Sequence, residues 1–363
     1  MTGRPLLDLH DLGNQQTGNE SWARSLAAAL FALDGPGAYD IAVTRAFPAA
    51  DAALLPAGET VRVADSPIRR LALDLPAAVR RLGSSALLVQ YTASLSRVPT
   101  VVMVHDLSFE DPRAAEWIPL AARLRYRATI RASVRRAAHV LTVSEFSRAD
   151  LVRRYGLDPD RVTVVPNAVD PRLAADIAAT PGTRSPRPTV LMVGNVLPRK
   201  NLPVVARAVR LMRDRGADVA LRVVGTVHRT GRRDADLAAA VLGEHVWFTG
   251  YVERADLARE LRSAHVLAFP SYFEGFGIPA LEAMAAGLPV VVSDRTSLPE
   301  VVGDAGLVVP ADDVGVWADA LTQALEPSVA TGLAGAGTRR VGDFDWANSA
   351  TRVSAVLGAP VAG

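Results

Sequence analysis

The chain has 363 residues, of which 49% are hydrophobic and 21% charged, with a net charge of +2 and no cysteine. This length predicts two globular domains, the missing cysteine excludes disulfides, thiolate metal sites and a thiol nucleophile, and the weak charge does not predict a nucleic-acid partner. The sequence shows neither a signal peptide nor a run of about 18 apolar residues, so we expect a cytoplasmic protein.

Short apolar, β-branched runs alternate with helical patterns, which predicts parallel sheets covered by helices. The predicted strands are Leu6–Leu9, Val61–Ala64, Leu87–Gln90, Val101–His105, Val140–Val143, Val162–Val165, Val190–Val193, Leu221–Val224, Val246–Thr249, Val266–Phe269, Val290–Val292 and Leu307–Val309. The helices fitted between them include Glu20–Leu33, Arg123–Arg136, Asn201–Arg213, Asp256–Ala264, Pro279–Ala286 and Gly315–Leu325. Because the pattern repeats, we expect an α/β protein of two doubly wound domains.

A change of composition separates the two halves. Residues 171–188 are rich in proline, alanine, threonine and arginine without a clear period, and we expect them to link a domain of residues 1–170 to one of residues 189–343. A last helical stretch lies in residues 344–363, after a glycine-rich segment. We expect it to leave the second sheet and pack back on the first domain.

One of the 40 basic residues is a lysine, Lys200, which follows an apolar strand. A flexible ammonium can follow charge that builds on a phosphate oxygen, which a planar guanidinium does less well. This position therefore predicts phosphate chemistry, the alternative being a surface leftover of an arginine-rich codon usage. We expect an exposed lysine, whose replacement by alanine hardly changes stability.

A glycine-rich loop precedes the predicted helix at Pro279. The free N–H groups of Gly277 and Ile278, with the helix dipole, favour a phosphate. Glu274 and Glu282 would repel that phosphate, so we expect them to accept hydrogen bonds from sugar and ribose hydroxyls. The alternative is that Glu274 is only a charged residue in a loop and that Glu282 complements the helix dipole.

The Glu274-x7-Glu282 pair, set in residues 270–290, resembles the retaining glycosyltransferases of family 4, including bacterial mannosyltransferases. Their fold is GT-B, two Rossmann-like domains facing a cleft. Other segments that resemble the family are 17–20, 105–109, 143–147, 162–170, 193–201, 249–251 and 297–301, whereas residues 34–85 carry no recognisable motif.

The resemblance implies a role for each matching residue. Lys200 and Arg199 would bind the donor diphosphate, Glu282 the ribose, and Glu274 the sugar. His105, which taken alone is typical of a structural histidine, would reach that sugar from the first domain. The catalytic residues implied are His105, Lys200 and Glu274. The other donor contacts implied are Gly18, Asn19, Gly194, Tyr251, Val252, Gly275, Phe276, Gly277 and Ile278.

Two departures from the family pattern affect the phosphate contacts. Many members have arginine at the position of Asn195, so Arg199 would supply the missing charge. The first loop, residues 13–18, is poorer in glycine than usual, so its amides would contact phosphate less closely and Asn19 would face the acceptor instead.

The chemistry implied is retaining and metal-independent, because aimed cations and helix N–H groups can stabilise the leaving diphosphate. A covalent Glu274 intermediate is the alternative. Asp234 and Asp236 could hold a metal, although they open a helical run where acidic residues usually complement the dipole.

Arg123, Arg127, Arg131 and Arg135 recur at i+4 on one helix face. They form a solvated face, or they contact a phosphate-bearing acceptor or an anionic membrane surface. Membrane contact would place the protein at the inner face of the membrane.

We therefore expect a hexosyltransferase without a cofactor that uses a nucleoside diphosphate sugar, GDP-mannose being the first choice. The acceptor would be a hydroxyl of a saccharide, a lipid-linked glycan or a natural product. The alternatives are a nucleotide-sugar 2-epimerase of the same fold and a non-catalytic nucleotide-sugar-binding partner subunit.

Overall fold

The computed structural model describes residues 3–13, 17–112 and 118–358. The chain divides into two compact units. The first takes the residues up to Leu107, Leu120–Asn167 and the residues from Asp345 onward, and the second takes Ser108–Pro119 and Ala168–Phe344.

Each unit contains one parallel sheet. The strands are β1 Leu6–Asp8, β2 Asp40–Val43, β3 Thr60–Arg62, β4 Leu87–Gln90, β5 Thr100–Val104, β6 His139–Thr142, β7 Val162–Val164, β8 Thr189–Val193, β9 Ala220–Val224, β10 Val246–Gly250, β11 Val266–Phe269, β12 Val290–Ser293 and β13 Leu307–Val309. The orders are β3-β2-β1-β4-β5-β6-β7 and β10-β9-β8-β11-β12-β13. Both orders reverse direction beside their first strand, as in doubly wound sheets, so the predicted fold class is confirmed.

Helices connect the strands. They are α1 Thr17–Asp34, α2 Ala49–Leu54, α3 Pro67–Arg69, α4 Leu75–Leu82, α5 Leu120–Arg136, α6 Glu145–Tyr155, α7 Pro171–Ala179, α8 Leu202–Asp214, α9 Arg232–Leu242, α10 Arg254–Ser263, α11 Ile278–Ala285, α12 Leu298–Val302, α13 Val314–Leu325, α14 Pro327–Val341 and α15 Trp346–Gly358. In the described part of the chain, no helix combines the length and the hydropathy needed to cross a membrane.

The core of the second unit forms where α8 lies on the sheet. Its apolar residues recur at helical spacing, and Val205, Val209 and Met212 are buried against strands such as β8. The neighbouring helices α9 and α13 pack on α8. This packing fixes the start of α8, and with it the turn that carries Lys200.

The last helix, α15, belongs to the first unit and packs against α1. Val353 and Leu357 are buried. The Ser349 hydroxyl donates to the carbonyl of Pro166 at 2.7 Å, and Arg352 donates to that of Val164 at 2.8 Å. These bonds join the helix to the chain around β7.

The segment 171–188, expected to be a linker, begins instead with a helix, α7. Asp170 caps it by accepting from the Arg172 amide at 2.8 Å, and Leu173 and Ile177 are buried. The helix packs against α10 in the second unit. The Asp-Pro start and the i, i+4 apolar pair are the sequence signals for it.

Candidate active site

The loop after β8 carries Lys200 directly over a glycine. Gly194 has φ +125°, and a Cβ there would lie 3.6 Å from both Cε and Nζ of Lys200. The segment Pro198–Lys200 forms a 3-10 turn. It ends at Asn201, whose φ is +52° and whose side chain donates to the Ala311 carbonyl at 2.8 Å. The turn is therefore fixed on both sides of the lysine.

Lys200 and Arg199 meet at one carboxylate oxygen. Nζ of Lys200 lies 2.6 Å from Glu274 Oε1, and Arg199 Nη1 donates to the same oxygen at 3.1 Å. The ammonium also lies 4.7 Å from the ring centroid of Phe269. The Lys200 side chain is 12% exposed and that of Glu274 11%, so the expectation of an exposed lysine is wrong.

The charge state of Glu274 follows from these partners. Burial would raise its pKa, but the charges of Lys200 and Arg199 outweigh burial and lower the pKa to about 2. Glu274 is therefore an anion held between two cations at neutral pH. This arrangement orients the Lys200 ammonium.

The backbone around Glu274 is fixed by two neighbouring hydroxyls. The Glu274 amide donates to Thr296 Oγ1 at 3.0 Å, and Ser297 Oγ donates to the carbonyls of Glu274 at 3.0 Å and Phe276 at 2.8 Å. Thr296 has φ +54°, a strained conformation for a β-branched residue that often marks a functional site. Sequence reasoning missed Thr296, although the segment 297–301 beside it carries part of the resemblance.

The helix α11 begins with the amides expected to face a phosphate. Gly277 has φ +117°, and a Cβ there would lie 2.7 Å from Cδ2 of Leu298, so glycine is required. The first bond inside the helix runs from the Ala280 amide to the Gly277 carbonyl at 3.0 Å. The amides of Gly277 and Ile278 lie before it, at the positive end of the helix dipole.

Glu282 lies on α11 and is half-buried. Burial, and then the negative charge of Asp170, raises its pKa to about 7. Asp170 is held as an anion by Arg172, whose Nη2 lies 2.9 Å from Oδ2. Sequence reasoning missed Asp170 as a neighbour of Glu282, although it ends the segment 162–170 that carries part of the resemblance.

Two other expected donor contacts, Tyr251 and Val252, lie after a strand end of the second unit, and so does Asn195, where the chain departs from the family pattern. Tyr251 is exposed and Val252 is half-buried, and both follow β10. Asn195 accepts from the Thr226 amide at 3.1 Å. Asn195 therefore joins the loops after β8 and β9, and Arg199 is the second cation beside Lys200.

His105 follows β5 in the first unit and is buried. Its Nε2 donates to Gln90 Oε1 at 2.9 Å, and its ring packs edge-on to Trp22 with centroids 4.9 Å apart. Burial lowers its pKa to about 3, so the ring is neutral at physiological pH. Gly18 and Asn19 lie in the first turn of α1, the helix that carries Trp22. Residues 14–16 of the first loop fall outside the described residues.

The two aspartates considered as an alternative metal site lie at the start of a helix. Asp234 and Asp236 lie in the first turns of α9, where Asp236 faces Arg232 at 3.8 Å. In the described ranges, no group of three or more acidic or histidine side chains is placed to hold a metal.

The basic helix α5 is exposed over its first turns. Arg127, Arg131 and Arg135 are exposed, as are Leu120 and Leu124. Its buried residues are Ile130, Ser133 and Val134. The arginines therefore share an outward face with large apolar side chains.

The chain matches two families of known proteins. Residues 187–327 match the family Glycosyl transferases group 1, and residues 25–173 match Glycosyltransferase Family 4. The chain is 32% identical over 274 residues to the O-antigen chain mannosyltransferase B of Escherichia coli, covering 69% of this chain and 68% of that protein.

A second relative and a solved structure extend the likeness. The chain is 35% identical over 219 residues to the phosphatidyl-myo-inositol mannosyltransferase of Mycolicibacterium smegmatis, covering 58% of this chain and 56% of that protein. The structure of HepE from Anabaena in complex with UDP and glucose superposes with a TM-score of 0.74 at 17% identity, covering 99% of this chain and 100% of that one. The chain has the GT-B fold and belongs to the family 4 glycosyltransferases, and it is a glycosyl-transferring enzyme.

Proposed function

We propose that this enzyme transfers a hexose from a nucleoside diphosphate sugar to an acceptor hydroxyl with retention of anomeric configuration. Mannose is the first choice for the hexose. The observation that carries the proposal is the cluster of Lys200, Arg199 and Glu274, which lies in the same unit as the N-terminus of α11. Two cations and a helix N-terminus suit a diphosphate. The names of the two mannosyltransferase relatives support mannose, and GDP-mannose is the donor proposed.

The groups divide the work between binding and reaction. Lys200 and Arg199 hold the diphosphate with the backbone of residues 275–278, and Glu282 accepts from the ribose hydroxyls. Glu274 uses one oxygen to orient both cations and can offer the other to the sugar. These contacts hold the donor before reaction and strengthen as negative charge develops on the diphosphate.

The reaction breaks the bond between the anomeric carbon and the diphosphate oxygen and forms one to the acceptor oxygen. The acceptor proton passes to the departing phosphate on the same face, so no separate base is needed. Lys200 carries the largest share of charge stabilisation, because its ammonium is a compact point charge that can contact a phosphate oxygen directly. His105, which is neutral and donates to Gln90 in the first unit, stays a predicted donor contact.

The proposed acceptor is a hydroxyl of a saccharide or a lipid-linked glycan. The exposed face of α5, with its arginines beside Leu120 and Leu124, supports peripheral contact with an anionic membrane that would present such an acceptor.

The test is incubation with GDP-mannose, with and without EDTA, followed by NMR of the product. A mannoside of a supplied saccharide acceptor that keeps the donor's anomeric configuration, formed at an equal rate with and without EDTA, is expected. An inverted product would overturn retention. Loss of activity on chelation with recovery by magnesium would overturn metal independence, and conversion of the nucleotide sugar to its 2-epimer would overturn sugar transfer. A thermal-shift panel of nucleotide sugars identifies the base and sugar, since ligand at 100 times its Kd adds about 2.7 kcal/mol of stability.

A further inference from the structure

A cavity of about 500 Å³ opens on the second unit where α8, α9 and α13 begin. Its lining includes Asn201, Arg207, Arg233, Asp234, Tyr272 and Asp312. The volume lies in the range of small-molecule sites, about 300–1,000 Å³. Among the described residues, those assigned above to the donor do not line it, so the cavity is a separate place on this unit.

Two arginines of the lining differ from their neighbours on the same helices. Arg210 and Arg213 on α8 are paired with aspartates at 2.7 and 3.2 Å, and Arg232 on α9 faces one at 3.8 Å. Arg207 and Arg233 point to the cavity and have neither a hydrogen bond nor an ion pair within the part of the chain that the structure describes. The charge of Arg233 also acts on the neighbouring Asp234. Guanidinium groups that make neither a hydrogen bond nor an ion pair in a concave site are suited to an anion.

The same lining also offers carboxylates. Tyr272 donates its hydroxyl to Asp312 Oδ1 at 2.7 Å, and burial raises the pKa of Asp234. Two carboxylates would repel a bare anion, whereas they can accept hydrogen bonds from hydroxyls. A ligand that has an anionic end and a polyhydroxylated body satisfies both kinds of lining group.

We propose that this cavity binds a phosphorylated hexose, with its phosphate on Arg207 and Arg233 and its hydroxyls on Asp234 and Asp312. The phosphate provides a negatively charged partner for the two arginines, and the sugar ring fills the remaining volume.

The site adjoins the turn that carries Lys200. Pro198 and Asn201, which flank that turn, line the cavity, and the Tyr272 amide donates to the Arg199 carbonyl at 2.8 Å. A bound sugar phosphate therefore contacts residues at both ends of this turn, and occupancy of the cavity changes donor affinity. By linkage the donor changes sugar-phosphate affinity by the same factor. This coupling rests on the proposed function, but binding at the cavity does not.

The test is calorimetric titration of the whole protein with mannose 6-phosphate. Wild type should bind it, and the Arg207→Gln/Arg233→Gln variant should bind about 100-fold more weakly, since each lost charge-assisted hydrogen bond costs about tenfold. The matched control Arg210→Gln, on the same helix but outside the lining, should bind as wild type does. Lys200→Ala should also retain binding, which separates this site from the donor site.

Several results would overturn the second site. One is that the wild type does not bind mannose 6-phosphate, and another is that the double arginine variant binds it as well as wild type does. The others are that Lys200→Ala loses binding, or that inorganic phosphate binds as tightly as mannose 6-phosphate. Unfolding curves of each variant are measured first, and Arg207→Lys/Arg233→Lys, which restores both charges, should recover part of the affinity. Intact binding without any sugar transfer would contradict the proposed function alone.

Discussion

Lys200 and Glu274 depend on each other more closely than their separation of 74 residues indicates. The resemblance identified each residue, but an ion pair between distant loops cannot be predicted from either motif alone. The structure adds that the pair is nearly enclosed. Removing one partner therefore affects folding as well as donor binding.

Lys200→Ala should lower turnover by about 10²–10³, by analogy with the loss of one transition-state donor, and Lys200→Arg should recover part of it. Donor affinity should fall less than turnover, because the interaction strengthens as the bond breaks. Steady-state kinetics with a saturating donor measures both effects. Near-normal turnover in the alanine variant would remove the phosphate role.

The same change should also destabilise the unliganded protein by about 1–3 kcal/mol, because Glu274 keeps Arg199 but loses its closer cation. Urea unfolding measures this loss. Lys200→Ala combined with Glu274→Gln should regain part of the stability, because the buried carboxylate is then absent. An additive loss in the double variant would contradict the coupling.

Glu282 should make stability depend on pH. Its pKa is raised to about 7 in the folded protein, so the folded state binds a proton that the unfolded state has released. The stability from this proton is fully present below about pH 4.5 and is lost as pH rises through about 7. Glu282→Gln should therefore gain about 1–3 kcal/mol over wild type at pH 8 and little at pH 4.5, as measured by urea unfolding.

The control for Glu282 is Asp170→Asn, which keeps a helix-capping residue but removes the neighbouring charge. It should lower the pKa of Glu282 in the folded protein, so stability still begins to fall near pH 4.5 but stops falling at a lower pH and loses less in total than in wild type. An equal gain from Glu282→Gln at both pH values would show that this carboxyl does not titrate near neutrality.

At the scale of elements, apolar periodicity predicted the strands of both sheets except β2. That strand begins with Asp40, which is buried because Arg4 Nε donates to it at 2.9 Å and the Glu59 amide donates at 2.8 Å. The charged first residue shortens the apolar run of β2 to three residues, 41–43, and its stabilising partners are distant in the sequence. Sequence reasoning therefore omitted β2.

The glycine-rich segment before α15 is also regular, because it forms α14. Gly337 lies where a Cβ would approach Met284 Cγ at 3.0 Å, so this glycine lets α14 pack closely on α11. Local propensity disfavours glycine in a helix, and tertiary packing overrides it here. The sequence contains the glycines but not the neighbour that requires one of them.

Gly231 and Gly332 should respond oppositely to alanine. A Cβ at Gly231 would lie 2.1 Å from the Val196 carbonyl oxygen, whereas a Cβ at Gly332 meets nothing within 4 Å. Gly231→Ala should cost about 1–3 kcal/mol through overpacking. Gly332→Ala, inside α14, should gain about 0.5–1 kcal/mol. Thermal unfolding of both variants measures the difference, and a similar loss in the two would contradict the packing argument.

At the scale of the whole molecule, α5 should confer binding to anionic membranes. Arg127→Glu/Arg131→Glu should weaken co-sedimentation with phosphatidylglycerol vesicles, because each basic residue near such a surface contributes about 1 kcal/mol. Binding should also fall as salt increases. Arg339→Glu, an exposed arginine on α14, is the matched control. Equal binding by all these proteins would leave α5 as a solvated face.

The return of α15 to the first unit has a consequence for how the protein is made. The ribosome synthesises α15, with its buried Val353 and Leu357, only after it has synthesised the second unit. The first unit, although it begins the chain, must therefore wait with the surface of α1 uncovered until the last helix emerges. During synthesis the later unit completes its core first, and the earlier one is the part that chaperones would meet exposed.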